Sequence, residues 1–90
     1  MKILIAEDDT QTANYLRKGL LAEGHAVDRV PDGREALAQA SLQTYDLFLV
    51  DRMMPNLDGL ALVKALRAAK ITTPILFLTA LDGVDDRVEG

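Results

Sequence analysis

The stretch Asp46-Leu47-Phe48-Leu49-Val50-Asp51-Arg52-Met53-Met54-Pro55-Asn56-Leu57-Asp58-Gly59 decides how this chain folds. Four consecutive apolar residues, Leu47 to Val50, leave no polar face, which fits a strand covered on both sides in a parallel sheet. The run ends on Asp51, and Pro55, Asn56, Asp58 and Gly59 then supply turn chemistry ahead of the next periodic segment. Asp51 is therefore expected at the carboxyl end of a central strand, the edge where open α/β sheets place their ligands.

Toward the N-terminus, Ile3, Leu4, Ile5 and Ala6 form a shorter unbroken run that stops at Glu7 and Asp8, a second central strand. Asp9 or Thr10 caps a helix whose Ala13, Leu16 and Leu20 share one face, and Gly24 closes it. From His25 to Val30 polar groups fall on both faces, as an edge strand tolerates. Asp32-Gly33-Arg34-Glu35 opens a second helix with an Asp-x-x-Glu variant of the capping box, with Ala36, Leu37 and Ala40 as its narrow apolar face.

Beyond Pro55 a third helix is expected from about Asp58 to Lys70, with Leu62, Val63 and Leu66 inward. Ile75 to Leu78 reads as another buried strand ending at Thr79-Ala80, and Asp82 to Gly90 as the first turns of a fourth helix. Tyr15 and Tyr45 read as partly buried packing residues, and His25 as a surface residue. Alternating strands and helices call for an α/β fold, a doubly wound parallel sheet with right-handed crossovers. With the second strand at an edge, the strand order is 2-1-3-4.

Ninety residues, 49% of them hydrophobic, fit one compact domain, and a net charge of −4 leaves no basic footprint for nucleic acid. The absence of Cys removes disulfides and thiolate metal sites and agrees with a cytoplasmic location. No apolar run approaches the roughly 18 residues of a membrane span, so no membrane partner is expected.

The strand order brings Glu7, Asp8 and Asp51 together where it reverses, and three adjacent carboxylates need a cation or protons between them. Oxygen donors, no Cys and a single His favour a hard ion, Mg²⁺, over Zn²⁺. Asp51 is then placed to act as the nucleophile forming an acyl phosphate, and Thr79 to hydrogen-bond a phosphoryl oxygen. Plainer readings hold elsewhere: Asp58 as a cap, Asp82, Asp85 and Asp86 as helix-start charges, Met53 and Met54 as gap fillers.

The segments Ile3-Leu-Ile-Ala-Glu7-Asp8-Asp9, Val50-Asp51-Arg-Met-Met-Pro55-Asn-Leu-Asp58-Gly59 and Leu78-Thr79-Ala80 resemble the receiver domain of two-component response regulators, in the right order and spacing over the whole chain. The resemblance implies a flavodoxin-like fold in which Asp51 is the phosphoacceptor and Thr79 the switch hydroxyl. It implies Mg²⁺ held directly by Asp8, through water by Glu7, and by Asp51 and the main-chain carbonyl of Met53. A sensor histidine kinase is the implied phosphodonor.

Leu78 to Gly90 further looks like the OmpR/PhoB class of transcription factors. That class implies a homodimer through the helix 4 face in the full-length protein and DNA contact only through an output domain not present here. The expected fifth β-α unit, with its phosphoryl-pairing Lys, is also absent from residues 1–90, so the receiver reads as truncated at the start of helix 4. Either a longer polypeptide or pairing of two chains along strand 4 would then cover that strand's edge.

Two other readings compete. An aspartate-nucleophile, Mg²⁺-dependent phosphohydrolase would carry a second Asp two residues after the nucleophile, where this chain has Met53. A pseudo-receiver serving protein contacts alone would not need the intact acidic set.

Overall fold

Alternation along a single strand divides the protein into two cores. In a computed structural model, which describes residues 1–51, 54 and 56–78, β1 (Lys2–Ala6) sends Leu4 and Ala6 to one side and Ile3 and Ile5 to the other. Leu4 and Ala6 join Phe48, Val50, Ala36, Ala40, Leu62 and Leu66. Ile3 and Ile5 join Leu49 and Leu78, with Leu16, Leu20, Val27 and Leu47 packed around them.

The elements follow in order as α1 (Thr10–Ala22), β2 (Ala26–Val30), α2 (Gly33–Leu42), β3 (Leu47–Val50), α3 (Gly59–Ala68) and β4 (Ile75–Phe77). Among the described residues the sheet has four parallel strands in the order β2-β1-β3-β4, as expected, with α1 on one face and α2 and α3 on the other. Ala6 pairs with Val30 on one side and Val50 on the other, and Val50 with Phe77. The carboxyl ends of the strands therefore lie level.

Each helix starts on an aspartate whose side chain accepts an N–H from the first turn: Asp9 from Thr12, Asp32 from Glu35 and Asp58 from Ala61. This settles the cap of α1 on Asp9 and gives Asp58 the plain structural role expected of it. α1 and α3 also end on a shared device, whereas α2 ends on an extended Gln43. After α1, His25 N bonds Leu20 O and Gly24 N bonds Leu21 O, with Gly24 at φ 91°. After α3, Ile71 N bonds Leu66 O and Lys70 N bonds Arg67 O, with Lys70 at φ 65°. Lys70 thus takes the left-handed position usual for glycine, and α3 stops at Ala68, short of the expected Lys70.

Both tyrosines depart from the expectation of partial burial. Tyr15 is 78% exposed on the outer face of α1, whereas Tyr45 is only 3% exposed. The Tyr45 hydroxyl donates to Asp28 Oδ2 at 2.6 Å and accepts from Gln39 Nε2 at 3.1 Å, which allows a polar tip in the apolar core. His25 is half-buried, its Nδ1 3.0 Å from the amino-terminal nitrogen of Met1 in an exposed contact.

β4 carries the outer edge of the described sheet, and Leu76 there is 56% exposed. Met53, Thr79 and the fourth helix expected at Asp82–Gly90 lie outside the described residues. Among the described residues no helix is long and apolar enough to cross a membrane.

Candidate functional site

The chain steps from β1 outward to β2 and then crosses back to β3, so the connections leaving β1 and β3 diverge and open a crevice at their carboxyl ends. Asp51 N donates to Ala6 O at 2.9 Å and Glu7 N to Val30 O at 3.0 Å, extending the sheet by one rung on each side of β1. Those rungs carry Glu7 and Asp51 into the crevice, with Asp8 two residues beyond the end of β1.

Carboxylate oxygens of Glu7, Asp8 and Asp51 all lie within 4.8 Å of one another. Their settings differ: Glu7 is buried, Asp51 half-buried and Asp8 exposed. Glu7 Oε2 accepts the Asp9 N–H at 3.0 Å, tying its side chain back to the turn that starts α1. Burial raises the Glu7 carboxyl from 4.5 to about 7, against the Asp9 N–H; the neighbouring carboxyls of Asp51 and Asp8 push it further up. A positive ion among these oxygens would reverse that shift, because it favours the ionised form.

The donor set fits a small hard cation. An octahedral Mg²⁺ site spans about 4 Å between opposite oxygens and takes one or two carboxylates plus waters, close to the observed spacing. The single histidine, His25, precedes β2 at the opposite end of the sheet, so no imidazole reaches the crevice. Of the five expected site residues, the fold brings Glu7, Asp8 and Asp51 together, while Met53 and Thr79 lie outside the described residues.

One participant had no role in the sequence reading. Arg29 Nε and Nη2 donate to Glu7 O at 3.0 and 2.8 Å, and Nη2 reaches Asp8 O at 3.3 Å. Its only signal in the sequence was a basic side chain in an edge strand of mixed polarity, which does not say what it touches. A second contact runs from Asn56 Nδ2 to Asp32 Oδ2 at 3.0 Å, joining the β3–α3 loop to the start of α2.

Residues 3–90 match the family described as "Response regulator receiver domain". The transcriptional regulatory protein PcoR of Escherichia coli is 46% identical over 99% of this chain and 39% of its own length. The transcriptional activator protein IrlR of Burkholderia pseudomallei is 50% identical over 100% of this chain and 39% of its own length. Among solved structures, the receiver domain of the Francisella response regulator 1452 superposes with a TM-score of 0.85 at 38% identity, over 98% of this chain and 73% of that one. The response regulator TrrA of Thermotoga maritima, solved with Mg²⁺ and BeF, has a TM-score of 0.80 at 30% identity, over 84% of this chain and 66% of that one. The chain thus spans about two fifths of the length of these two curated regulators.

Proposed function

The chain belongs to the response regulator receiver domain family, and from that premise we propose that Asp51 accepts a phosphoryl group from a sensor histidine kinase. The observation that carries this reading is the approach of Glu7, Asp8 and Asp51 within 4.8 Å at the crevice between β1 and β3. An Asp51 carboxylate oxygen attacks phosphorus in line, the bond from phosphorus to the donor nitrogen breaks, and its electron pair stays on the donor. The carboxylates of Glu7, Asp8 and Asp51, with the main-chain carbonyl of Met53, would hold Mg²⁺. When bound, it neutralises the charge that otherwise repels an incoming phosphoryl group.

The protein's own work is positioning. Asp51 follows a strand whose Phe48 and Val50 are almost fully buried, so its backbone needs little reorganisation to meet the donor. Glu7 is oriented by the Asp9 N–H, and the Thr79 hydroxyl is assigned a hydrogen bond to a phosphoryl oxygen. The added group brings about −1.5 to −2 charges, which restructures its surroundings electrostatically and supplies the signal. The family is a signalling rather than a catalytic one, which favours a switch over an aspartate-nucleophile phosphohydrolase.

The transcriptional regulators among the relatives support a parent protein that controls transcription; DNA contact through an output domain and dimerisation through the Asp82–Gly90 segment are part of the proposal on the OmpR/PhoB resemblance alone. Labelling with acetyl phosphate tests the core of the reading. Intact mass should show one added phosphoryl group that requires Mg²⁺ and is lost in Asp51→Asn. Undiminished labelling of Asp51→Asn would move the nucleophile elsewhere.

A further inference from the structure

The β1–α1 turn supplies two of the three clustered carboxylates, yet the sheet ceases to support its backbone partway through. Glu7 N–H is still a rung of the sheet, bonded to Val30 O at 3.0 Å. In a strand the N–H and C=O of one residue point the same way, so Glu7 O faces β2 and needs a donor there. β2 ends at Val30. The donor is instead the Arg29 side chain, with Nε and Nη2 on Glu7 O and Nη2 also within 3.3 Å of Asp8 O. One planar fork therefore spans two successive carbonyls, those of the residues whose carboxylates face Asp51.

We propose that Arg29 is a positioning residue for this site: its guanidinium fixes the direction in which the Glu7 and Asp8 carboxylates leave the β1–α1 turn toward Asp51. The proposal rests on the Mg²⁺ reading above. Arg29 is half-buried, so its fork competes with little bulk water, and its anchor Ile5, across the β1–β2 register, is fully buried. With Glu7 N on Val30 O, Glu7 O on Arg29 and Glu7 Oε2 on Asp9 N, every polar part of Glu7 except the oxygen offered to the crevice is tied to the fold.

Geometry and charge make opposite predictions here. A fixed positive charge beside a cation site opposes Mg²⁺ binding, so an Arg29 acting only through its charge would be inhibitory, and its removal would tighten the site. An Arg29 acting through its fork orients the ligands, and losing such an outer support weakens metal binding, by about 10- to 100-fold in characterised sites. Lysine keeps the charge but offers a point donor on a flexible stem in place of the planar fork.

Calorimetric Mg²⁺ titration of the wild type, Arg29→Gln, Arg29→Lys and Asp8→Asn tests this, at a temperature where circular dichroism shows each protein folded. Both Arg29 variants should bind Mg²⁺ at least about 10-fold more weakly, lysine failing to restore the wild-type value. In metal-free protein the amide resonances of Glu7, Asp8 and Asp9 should move in Arg29→Lys. Equal or tighter binding by Arg29→Gln, or full rescue by lysine, overturns the positioning role while leaving Mg²⁺ loss in Asp8→Asn intact. Unchanged affinity in Asp8→Asn overturns the metal site and this inference with it. Should Arg29→Gln fail to fold, Arg29→Lys decides the matter alone.

Discussion

Replacing Gly33 with alanine tests how tightly the loop after Asp51 is held. Gly33 is buried at the first position of α2, and a Cβ there would stand 2.0 Å from Leu57 O and 2.8 Å from both Leu57 C and Leu57 Cβ. Two of those three atoms are backbone, so no rotamer change relieves the clash, and the loop must retreat by at least about 1 Å. Retreat is opposed from both sides of Leu57. Asn56, at φ 68°, bonds Asp32 Oδ2, and Asp58 caps α3 through the Ala61 N–H. Overpacking costs about 1–3 kcal/mol and a lost cap about 1 kcal/mol, so Gly33→Ala should destabilise by roughly 2–4 kcal/mol. Urea unfolding should show a midpoint lower by about 1 M or more at an unchanged slope. Gly19, in the middle of α1 with nothing within 4 Å of its would-be Cβ, is the control. There the same substitution should stabilise by about 0.5–1 kcal/mol. A Gly33→Ala protein within about 0.5 kcal/mol of wild type would refute the idea that α2 and the loop are clamped.

Glu7 makes stability depend on pH. Its folded carboxyl is raised from 4.5 to about 7, so between those values the folded state keeps a proton that the unfolded chain has lost. The contribution of Glu7 to stability should be full below about 4.5 and be lost as pH rises through 7, by less than roughly 3 kcal/mol once solvent screening is allowed for, and Glu7→Gln should remove this part of the slope; denaturant titrations of metal-free wild type and variant across this range would check it. Lys70→Gly should stabilise by about 0.5–1 kcal/mol, because glycine relieves the left-handed strain at φ 65°; a lower melting temperature would contradict this. Tyr45→Phe keeps the tilted ring contact with Phe48 but strips Asp28 and Gln39 of their shared hydroxyl, which should cost about 1–2 kcal/mol in equilibrium unfolding. Phe48→Ala, emptying a side chain only 2% exposed between α2, α3 and the sheet, should cost about 3–5 kcal/mol by the same measurement.

The order of elements was legible in the sequence because each announces itself locally. The unbroken runs Ile3–Ala6 and Leu47–Val50 leave no polar face, and Asp9, Asp32 and Asp58 each precede a periodic segment they cap. From those elements, crossover handedness and the polar second strand were enough to derive the order β2-β1-β3-β4, and with it the convergence of Glu7, Asp8 and Asp51. Side-chain partners across the fold were not legible, because they depend on distances that no local pattern encodes. Tyr15 and Tyr45 share a residue type yet end at 78% and 3% exposure, since only one of them points between α2 and the sheet. Arg29 in sequence is a charge in an edge strand; only the end of β2 at Val30, which leaves the Glu7 carbonyl to a side-chain donor, makes it part of the site. The weakened acidity of Glu7 likewise appears only once packing has removed water from a carboxyl that sequence shows beside Asp8 and far from Asp51.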